Sequence, residues 1–268
     1  MRARIYPIAE DINVEINHIK DWIKNYFVEN GPDCKAIIGL SGGKDSTVAA
    51  KLCVEALGKD KVIGVYMPQG KQHDIDIAHE VGQYLQIQTI EVNIGKICDT
   101  FYESFDNAFP FDDVRENSVV TSNSPARIRM SVLYAIAGML HGRVVNTCNA
   151  SEDFVGYSTK FGDSAGDFSP LSDYTVHAVK TIGYALGIPA KFIDKAPEDG
   201  LSGKTDEDNL GFTYEVLDTF LETGTLPEDY EVYKNIMERH KRNIHKVRPM
   251  PMCSRVGPSQ GTCWEFNL

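Results

Sequence analysis

Residues 41–46, with the sequence Ser-Gly-Gly-Lys-Asp-Ser, have the clearest potential for chemistry in this chain. Two adjacent glycines let the backbone turn tightly, so that successive N–H groups point at one spot. The hydroxyls of Ser41 and Ser46 add donors, and a helix expected from about Asp45 adds the positive end of its dipole. The segment is therefore predicted to bind an anion, and phosphate is the anion that suits it best.

Asp45 brings a negative charge into this predicted phosphate site. A carboxylate beside phosphates is repulsive unless a cation lies between them, and a hard divalent ion, magnesium first, removes the conflict. The alternative is a Gly-Gly turn that only joins a strand to a helix. We favour the phosphate interpretation because an apolar run, residues 36–40, predicts a strand before the turn, and because two serines flank it. Neither a Walker A loop nor a G-x-G-x-x-G dinucleotide fingerprint occurs in the chain.

Strands and helices are predicted to alternate after an amphipathic first helix. Alternation of this kind predicts an α/β fold, a Rossmann-like parallel sheet with helices on both faces. Ligands bind such sheets beyond the carboxyl ends of the strands, where Ser41, Met67 and Thr147 would lie. The predicted strands are 36–40, 62–66, 87–92 and 144–148, and the predicted helices are 8–27, 45–57, 74–85, 94–105, 126–141 and 175–186.

After residue 148, the sequence pattern changes. Residues 157–173 and 196–208 are polar and contain glycines, and we expect them to be loops that become ordered when ligands bind. A helical C-terminal section is predicted over residues 210–242, and the tail from about residue 249 has no assignment. One domain is expected to span residues 1–268.

The composition limits the classes of function. A net charge of -11 over 268 residues argues against a nucleic-acid-binding protein, which would present a basic surface. We expect no membrane association, because no apolar run reaches membrane-spanning length. The N-terminus lacks the apolar region of a signal peptide, which predicts a cytoplasmic location. The six cysteines include no C-x-x-C pair, and this favours free thiols over disulfides or a zinc site.

Glu152 is the second candidate metal ligand. It lies shortly after the fourth predicted strand, at the same edge of the sheet as Asp45. Two carboxylates at neighbouring strand ends can share magnesium ions that bridge phosphate oxygens. Taken alone, a glutamate at a helix start is more often a favourable partner of the helix dipole.

Further short motifs follow in order along the chain. They are Pro-Ala-Arg-Ile-Arg-Met at 125–130, Leu-Tyr at 133–134, Thr-Lys-Phe-Gly-Asp at 159–163, Asp167, Pro-Leu at 170–171, Gly-Leu at 200–201, Thr-Asp-Glu at 205–207 and His-Lys-Arg at 240–242. Together with residues 41–46, this series resembles the ammonia-dependent NAD synthetases, over residues 37 to 242. Residues 41–46 themselves look like the phosphate loop of the ATP pyrophosphatases, which implies a fold like that of the adenine nucleotide alpha hydrolases.

The resemblance implies a two-stage reaction by a carbon–nitrogen ligase. The nicotinic carboxylate of deamido-NAD attacks the α-phosphate of ATP, which gives an acyl adenylate and pyrophosphate. Ammonia then attacks the activated carbonyl, so that NAD and AMP are formed. Magnesium, ATP as co-substrate and a homodimer are also implied, whereas a glutamine-hydrolysing domain is not expected in a chain of this length.

The resemblance also implies roles for individual residues. Magnesium would be held by Asp45 and Glu152, which would count among the catalytic residues with Lys160, and Asp163 would receive the proton from ammonium. The implied ATP-binding residues are Gly39, Leu40, Ser41, Gly42, Gly43, Lys44, Asp45, Ser46, Met67 and Thr147. The implied deamido-NAD-binding residues are Arg127, Lys160, Asp167, His240 and Lys241.

Two positions depart from the family pattern. Val176 stands where an ATP-binding lysine is usual, and Glu198 stands where a serine or threonine is usual. We expect Lys180 or Lys204 to supply the missing cation. The departures keep two alternatives open, namely another ATP pyrophosphatase with a different carboxylate or base as acceptor, and a degenerate nucleotide-binding protein without catalysis. The two intact metal carboxylates argue against the second alternative.

Overall fold

Four parallel strands form the sheet of the computed structural model, which describes residues 8–9, 11–72, 75–106, 108–109, 113–195 and 205–251. Ile37 is opposite Ile63 on one side and Val144 on the other, and all three side chains are fully buried. Apolar side chains on adjacent strands suit a sheet that is covered on both faces. The strands are β1 (Lys35–Gly39), β2 (Val62–Tyr66), β3 (Gln88–Glu91) and β4 (Gly142–Val144), in the spatial order β3-β2-β1-β4.

Helices cover both faces of this sheet. In chain order they are α1 (Ile12–Asn30), α2 (Lys44–Leu57), α3 (Ile75–Leu85), α4 (Gly95–Glu103), α5 (Ser118–Leu140), α6 (Ala150–Val155), α7 (Val176–Ala185), α8 (Ala190–Ile193), α9 (Asp206–Leu210), α10 (Tyr214–Thr223) and α11 (Tyr230–Asn243). Helices α1, α2, α3 and α7 share one apolar cluster, which includes Ile23, Leu52 and Ile182. Helix α5 packs on the other face, where Leu133 belongs to the same cluster as Ile37.

The predicted fold class is confirmed, and the differences concern element boundaries. Helix α5 begins at Ser118 rather than at residue 126, because the side chain of Asn117 accepts hydrogen bonds from the first-turn N–H groups of Val119 and Val120. The predicted strand 144–148 was wrong, because β4 already ends at Val144. Beyond it, the chain makes a single parallel bridge to the loop that follows α6.

The predicted helical C-terminal section consists of three helices, and the first of them, α9, already begins at Asp206 within the predicted loop 196–208. Helices α9, α10 and α11 pack with α6 and α7 around a separate apolar cluster that includes Val155, Leu217 and Ile236. The short helix α6, which the sequence pattern did not reveal, follows β4 in the chain and packs against α10 and α11. This position fixes the backbone that carries Glu152.

Some predictions lie outside the described residues, among them those on Glu198 and Lys204 and on the tail from residue 252 onward. Within the described part of the chain, no helix is long and apolar enough to cross a membrane. The described cysteines, namely Cys34, Cys53, Cys98 and Cys148, are all free thiols.

Candidate active site at the carboxyl ends of β1 and β4

The turn between β1 and α2 places two hydroxyls at the N-terminus of α2. Gly42 adopts a φ of 79°, and a Cβ atom there would lie 2.9 Å from the backbone nitrogen of Ala78, so glycine is required. The hydroxyl oxygens of Ser41 and Ser46 are 3.1 Å apart. No side chain caps α2 at Gly43, which leaves its first-turn N–H groups facing the turn. The predicted phosphate segment thus has the geometry of an anion site.

A continuous chain of hydrogen bonds links the two predicted metal carboxylates. Asn149 Nδ2 donates to Asp45 Oδ1 at 3.0 Å, and Asn149 Oδ1 accepts from the backbone N–H of Glu152 at 3.0 Å. Glu152 Oε2 in turn accepts from the Asn149 backbone N–H at 3.4 Å, which completes a capping box at the start of α6. Because β1 and β4 are adjacent, Asp45 and Glu152 lie on neighbouring segments of the same sheet edge.

Lys44 lies inside this group of carboxylates. Its Nζ atom is 2.8 Å from Asp45 Oδ2, and its side chain is only 4% exposed. Burial opposes the charged form of Lys44, but the carboxylates of Asp45, Glu152 and Asp206 raise its pKa overall. Burial, and next the charge of Asp45, raise the pKa of Glu152, and Lys44 partly offsets this. The site therefore concentrates negative charge around one ammonium group.

Tyr214, the first residue of α10, lies beside Lys44. The side chain is 5% exposed, and within the described part of the chain its hydroxyl is buried without a hydrogen-bond partner. Burial raises its pKa, and the negative charges of Glu152, Asp206 and Asp45 raise it further. Lys44 Nζ lies 5.9 Å from the centre of its ring. A buried hydroxyl of this kind is normally satisfied, which marks it as a candidate ligand contact.

Residues 159–163 form a turn beside the N-terminal half of α5. Arg127 Nε donates to the carbonyl oxygen of Lys160 at 3.2 Å, and Lys160 Nζ donates to the carbonyl oxygen of His245 at 3.0 Å. Phe161 has a φ of 63°, which is uncommon for a bulky residue, and its ring is 64% exposed. The turn thus holds Arg127 and Lys160, two cations that are predicted to bind deamido-NAD, close together.

The carboxyl group of Asp163 is folded back into the same turn. Its Oδ1 atom accepts from the backbone N–H of Thr159 at 2.9 Å. Burial raises the pKa of Asp163, although the hydrogen bond from Thr159 opposes the rise. A carboxylate with a raised pKa takes up a proton more readily.

Two residues that are predicted to bind deamido-NAD, Asp167 and His240, already make contacts within the fold. Asp167 Oδ2 accepts from the backbone N–H of Val144 at 2.7 Å, and Asp167 Oδ1 accepts from the Tyr134 hydroxyl at 3.3 Å. His240 Nδ1 lies 2.7 Å from the carbonyl oxygen of Phe154, and its ring stacks on Phe154 with 4.2 Å between the ring centres. These residues join α5, β4, α6 and α11, so any ligand contact must use their remaining atoms.

The other predicted residues follow β2 and β4 or lie on α7 and α11. Met67 follows β2, and its carbonyl oxygen accepts from Arg129 Nε at 3.1 Å. Thr147 is partly buried where the chain leaves β4, and Lys241 is exposed on the last turn of α11. Val176 is buried in the apolar cluster with Tyr214 and Leu217, so this position carries no cation.

Sequence reasoning missed Asn149 and Tyr214 as site residues. The first had a signal, because Asn-x-x-Glu at 149–152 is a capping-box pattern that places the asparagine beside the glutamate. No sequence signal marked Tyr214, since it reaches the site through the packing of α10 on α6 and α7. Lys44 was placed in the phosphate segment, but its burial among carboxylates could not be read from the sequence.

A divalent cation fits the donors at Asp45 and Glu152. Carboxylate oxygens are ligands that magnesium prefers, and it commonly binds one or two carboxylates together with substrate phosphates. The described residues contain no group of three or more His, Cys, Asp or Glu side chains that could hold a metal ion. A magnesium ion here would therefore take its other ligands from phosphate oxygens and water.

Comparisons with known proteins agree on one family. The model of the family described as NAD synthase matches residues 15–252. The chain is 37% identical over 258 residues to the NH(3)-dependent NAD(+) synthetase of Methanocaldococcus jannaschii, and the match covers 91% of this chain and 97% of that protein.

Solved structures are similar over nearly the whole chain. A structure described as NMN synthetase from Francisella tularensis is 32% identical with a TM-score of 0.82, and the match covers 92% of this chain and 100% of that one. The NH3-dependent NAD synthetase from Campylobacter jejuni, solved in complex with the nitrate ion, is 26% identical with a TM-score of 0.72 and the same coverages.

Proposed function

The chain belongs to the NAD synthase family, and we propose that it amidates deamido-NAD with ammonia through an acyl adenylate. It is a carbon–nitrogen ligase that uses ATP as co-substrate. One observation carries the proposal, namely the hydrogen-bonded arrangement of Asp45, Asn149 and Glu152 beside the glycine turn. It brings two carboxylates and an anion site to one sheet edge, as transfer of an adenylyl group from ATP requires.

The ATP half of the reaction is assigned to the β1–α2 turn. The N–H groups at the start of α2 and the hydroxyls of Ser41 and Ser46 would bind the pyrophosphate end of ATP. Asp45 and Glu152 would hold magnesium, which when bound offsets the charge that develops on the phosphates. Asn149 orients both carboxylates, because its side-chain Nδ2 donates to Asp45 Oδ1 and its backbone N–H donates to Glu152 Oε2.

The acceptor half is assigned to the turn at residues 159–163 and to α11. Arg127 and Lys160 would bind the dinucleotide phosphates, while His240 and Lys241 would contact the acceptor from α11. Positioning of the nicotinic carboxylate against the α-phosphate accounts for a large share of such a reaction, because it replaces a bimolecular encounter. Met67 and Thr147 would border the nucleotide between the two halves.

Asp163 is our candidate for the group that deprotonates ammonium. Ammonia must be neutral to attack the activated carbonyl, so a proton has to leave before or during the attack. Burial raises the pKa of Asp163, which favours proton uptake over the ordinary behaviour of an exposed carboxylate. Its position beside Thr159 places it in the same turn as Lys160.

The test measures release of AMP and pyrophosphate from ATP and magnesium, with deamido-NAD present or absent, and with ammonium or glutamine as nitrogen donor. We expect release that requires deamido-NAD, and formation of NAD with ammonium alone. Release without NAD formation would indicate a different acceptor. Tight ATP binding with no release under any condition would favour the non-catalytic alternative.

A second acceptor is favoured by a specific observation. The structure described as NMN synthetase has a TM-score of 0.82 with this chain, against 0.72 for the Campylobacter jejuni NAD synthetase. The corresponding acceptor, deamido-NMN, has the same nicotinic carboxylate and ribose phosphate but lacks the AMP portion of deamido-NAD. Comparison of kcat/KM for the two acceptors decides between them, because a preference for deamido-NMN would make NMN the product.

Assembly and location complete the proposal. We propose a homodimer, since exposed apolar side chains occur on α1 and α5, among them Trp22, Val119 and Met139, the last at 79% exposure. Sedimentation equilibrium would show a species of twice the chain mass. We also propose a cytoplasmic location, which fractionation of the source cells would test.

A further inference from the structure

We propose that Lys44 exchanges partners during ligand binding: its ammonium group pairs with Asp45 in the free protein, leaves when a divalent cation binds, and then binds the phosphates of ATP. The inference deepens the proposed function and rests on it for the presence of metal and ATP at this site. To the ATP-binding role already implied for Lys44, it adds an earlier role as an internal counter-ion and an exchange between the two.

The first role follows from the burial of the lysine. Lys44 is 4% exposed, and its Nζ atom is 2.8 Å from Asp45 Oδ2, with Glu152 and Asp206 also close enough to act on its charge. A buried ammonium group is unfavourable unless it is paired and hydrogen-bonded. The carboxylates that would hold the metal are thus partly neutralised by a cation that belongs to the chain.

The need for exchange follows from the two oxygens of Asp45. Oδ1 accepts from Asn149 Nδ2, and Oδ2 accepts from Lys44 Nζ. A divalent cation requires direct contact with a carboxylate oxygen, and two cations that share one oxygen repel each other. Asn149 also carries the backbone bonds of α6 and is held by both of its ends. Lys44 is therefore the group that gives way.

The second role follows from what lies next to Lys44. It is the first residue of α2, directly after the glycine turn, so a displaced ammonium group remains beside the anion site. The ring centre of Tyr214 lies 5.9 Å from Lys44 Nζ, and its hydroxyl is buried and within the described chain has no hydrogen-bond partner, so it is available as a further acceptor. Phosphate oxygens bound at the turn would replace the lost carboxylate as the partner of the ammonium group.

The experiment measures binding by calorimetry, without acceptor or ammonia, in the wild-type protein and in Lys44→Met. Magnesium chloride is titrated alone, and an ATP analogue with a methylene group between the α and β phosphates is then titrated at saturating magnesium. We expect Lys44→Met to bind magnesium alone at least about fivefold more tightly and the ATP analogue at least about fivefold more weakly. Lys51→Met removes a lysine of α2 that pairs with Glu55, and it should match the wild type in both titrations.

Unchanged or weaker magnesium binding in Lys44→Met, or unchanged binding of the ATP analogue, would overturn the proposal. If Lys44→Met fails to fold, the wild-type protein labelled with 15N at the lysine side chains serves instead. The Lys44 ammonium resonance, identified by its absence from Lys44→Arg, should shift with magnesium and shift again with the ATP analogue. A resonance that neither ligand moves would also overturn it. Failure of NAD formation leaves these binding results intact, so the two proposals fail separately.

Discussion

The two parts of the site that we propose for ATP and for the acceptor, called the ATP half and the acceptor half, differ in how their charged groups are paired. In the ATP half, Lys44 is buried and paired with the carboxylate of Asp45. In the acceptor half, Arg127 and Lys160 donate to backbone carbonyl oxygens, which carry no net charge. The first half therefore partly neutralises its carboxylates with a cation of the chain, while the second is proposed to keep its positive charge for an anionic ligand, in a chain whose net charge is -11.

This difference indicates what each half must do. Groups that hold a metal and a triphosphate must remain organised when both are absent, so mutual pairing keeps the carboxylates together. Groups that attract a dinucleotide act best when their charge is not offset, because the attraction falls once a carboxylate pairs with them. The comparison predicts that substitutions in the ATP half change turnover, whereas substitutions in the acceptor half change the affinity for the acceptor.

The largest effect is expected from Asp45→Asn. The amide removes the charge on which both Lys44 and a magnesium ion would depend, so kcat should fall by roughly 10²- to 10³-fold, on the scale of losing one group that stabilises the transition state. Steady-state kinetics of AMP release measures this. Glu55→Gln, which changes a partly exposed carboxylate on the same helix, should retain full activity. A change in the KM for the acceptor alone would contradict the comparison.

A smaller effect is expected from Lys160→Met, in the acceptor half. Loss of a charged donor should raise the KM for the acceptor roughly tenfold or more, while the KM for ATP stays nearly constant. Lys160→Arg should recover most of the loss, because it keeps the charge. A matched control is Lys24→Met, which removes an exposed lysine of α1 that pairs with Asp21. Equal rises in the KM for ATP and in the KM for the acceptor would contradict the division of the site into two halves.

The smallest effect concerns the buried support of the ATP half. Asp218 is 4% exposed and accepts hydrogen bonds from Ser151 Oγ and from the backbone N–H of His177, which joins α10 to α6 and α7. Burial raises the pKa of Asp218 to about 6, above the value of about 3.9 in an unfolded chain. The folded protein thus holds this proton more tightly, and its stability falls as the pH rises between these values.

Asp218→Asn abolishes that titration. Relative to the variant, the wild type should therefore lose about 1–3 kcal/mol of unfolding free energy between pH 4 and pH 7. Urea unfolding at a series of pH values measures the difference. Asp21→Asn, an exposed site on α1, serves as the control and should follow the wild type. A pH slope that Asp218→Asn leaves unaltered would show that this carboxyl group does not titrate in the window.

Much of the fold followed from local patterns. The bounds of β2 were predicted correctly because its five residues are all buried and lie between clear turn signals. The start of α5 was predicted at residue 126 and was wrong, because Asn117 caps the helix and α5 begins at Ser118. Helix α6 escaped prediction because a helix of six residues is too short to show periodicity, and packing against α10 and α11 stabilises it instead.

The sequence by itself determined the turn that is predicted to bind an anion, since two glycines, two serines and a following helix specify backbone geometry over a few residues. It also determined the family, because its motifs occur in a characteristic order. Only the tertiary structure decided how charges are paired. Asn149 bonds to Asp45, which is 104 residues away in the chain, and links it to Glu152, while Tyr214 reaches Lys44 through helix packing. Burial and long-range contacts set the energy of a charge, and neither is encoded in the neighbouring residues.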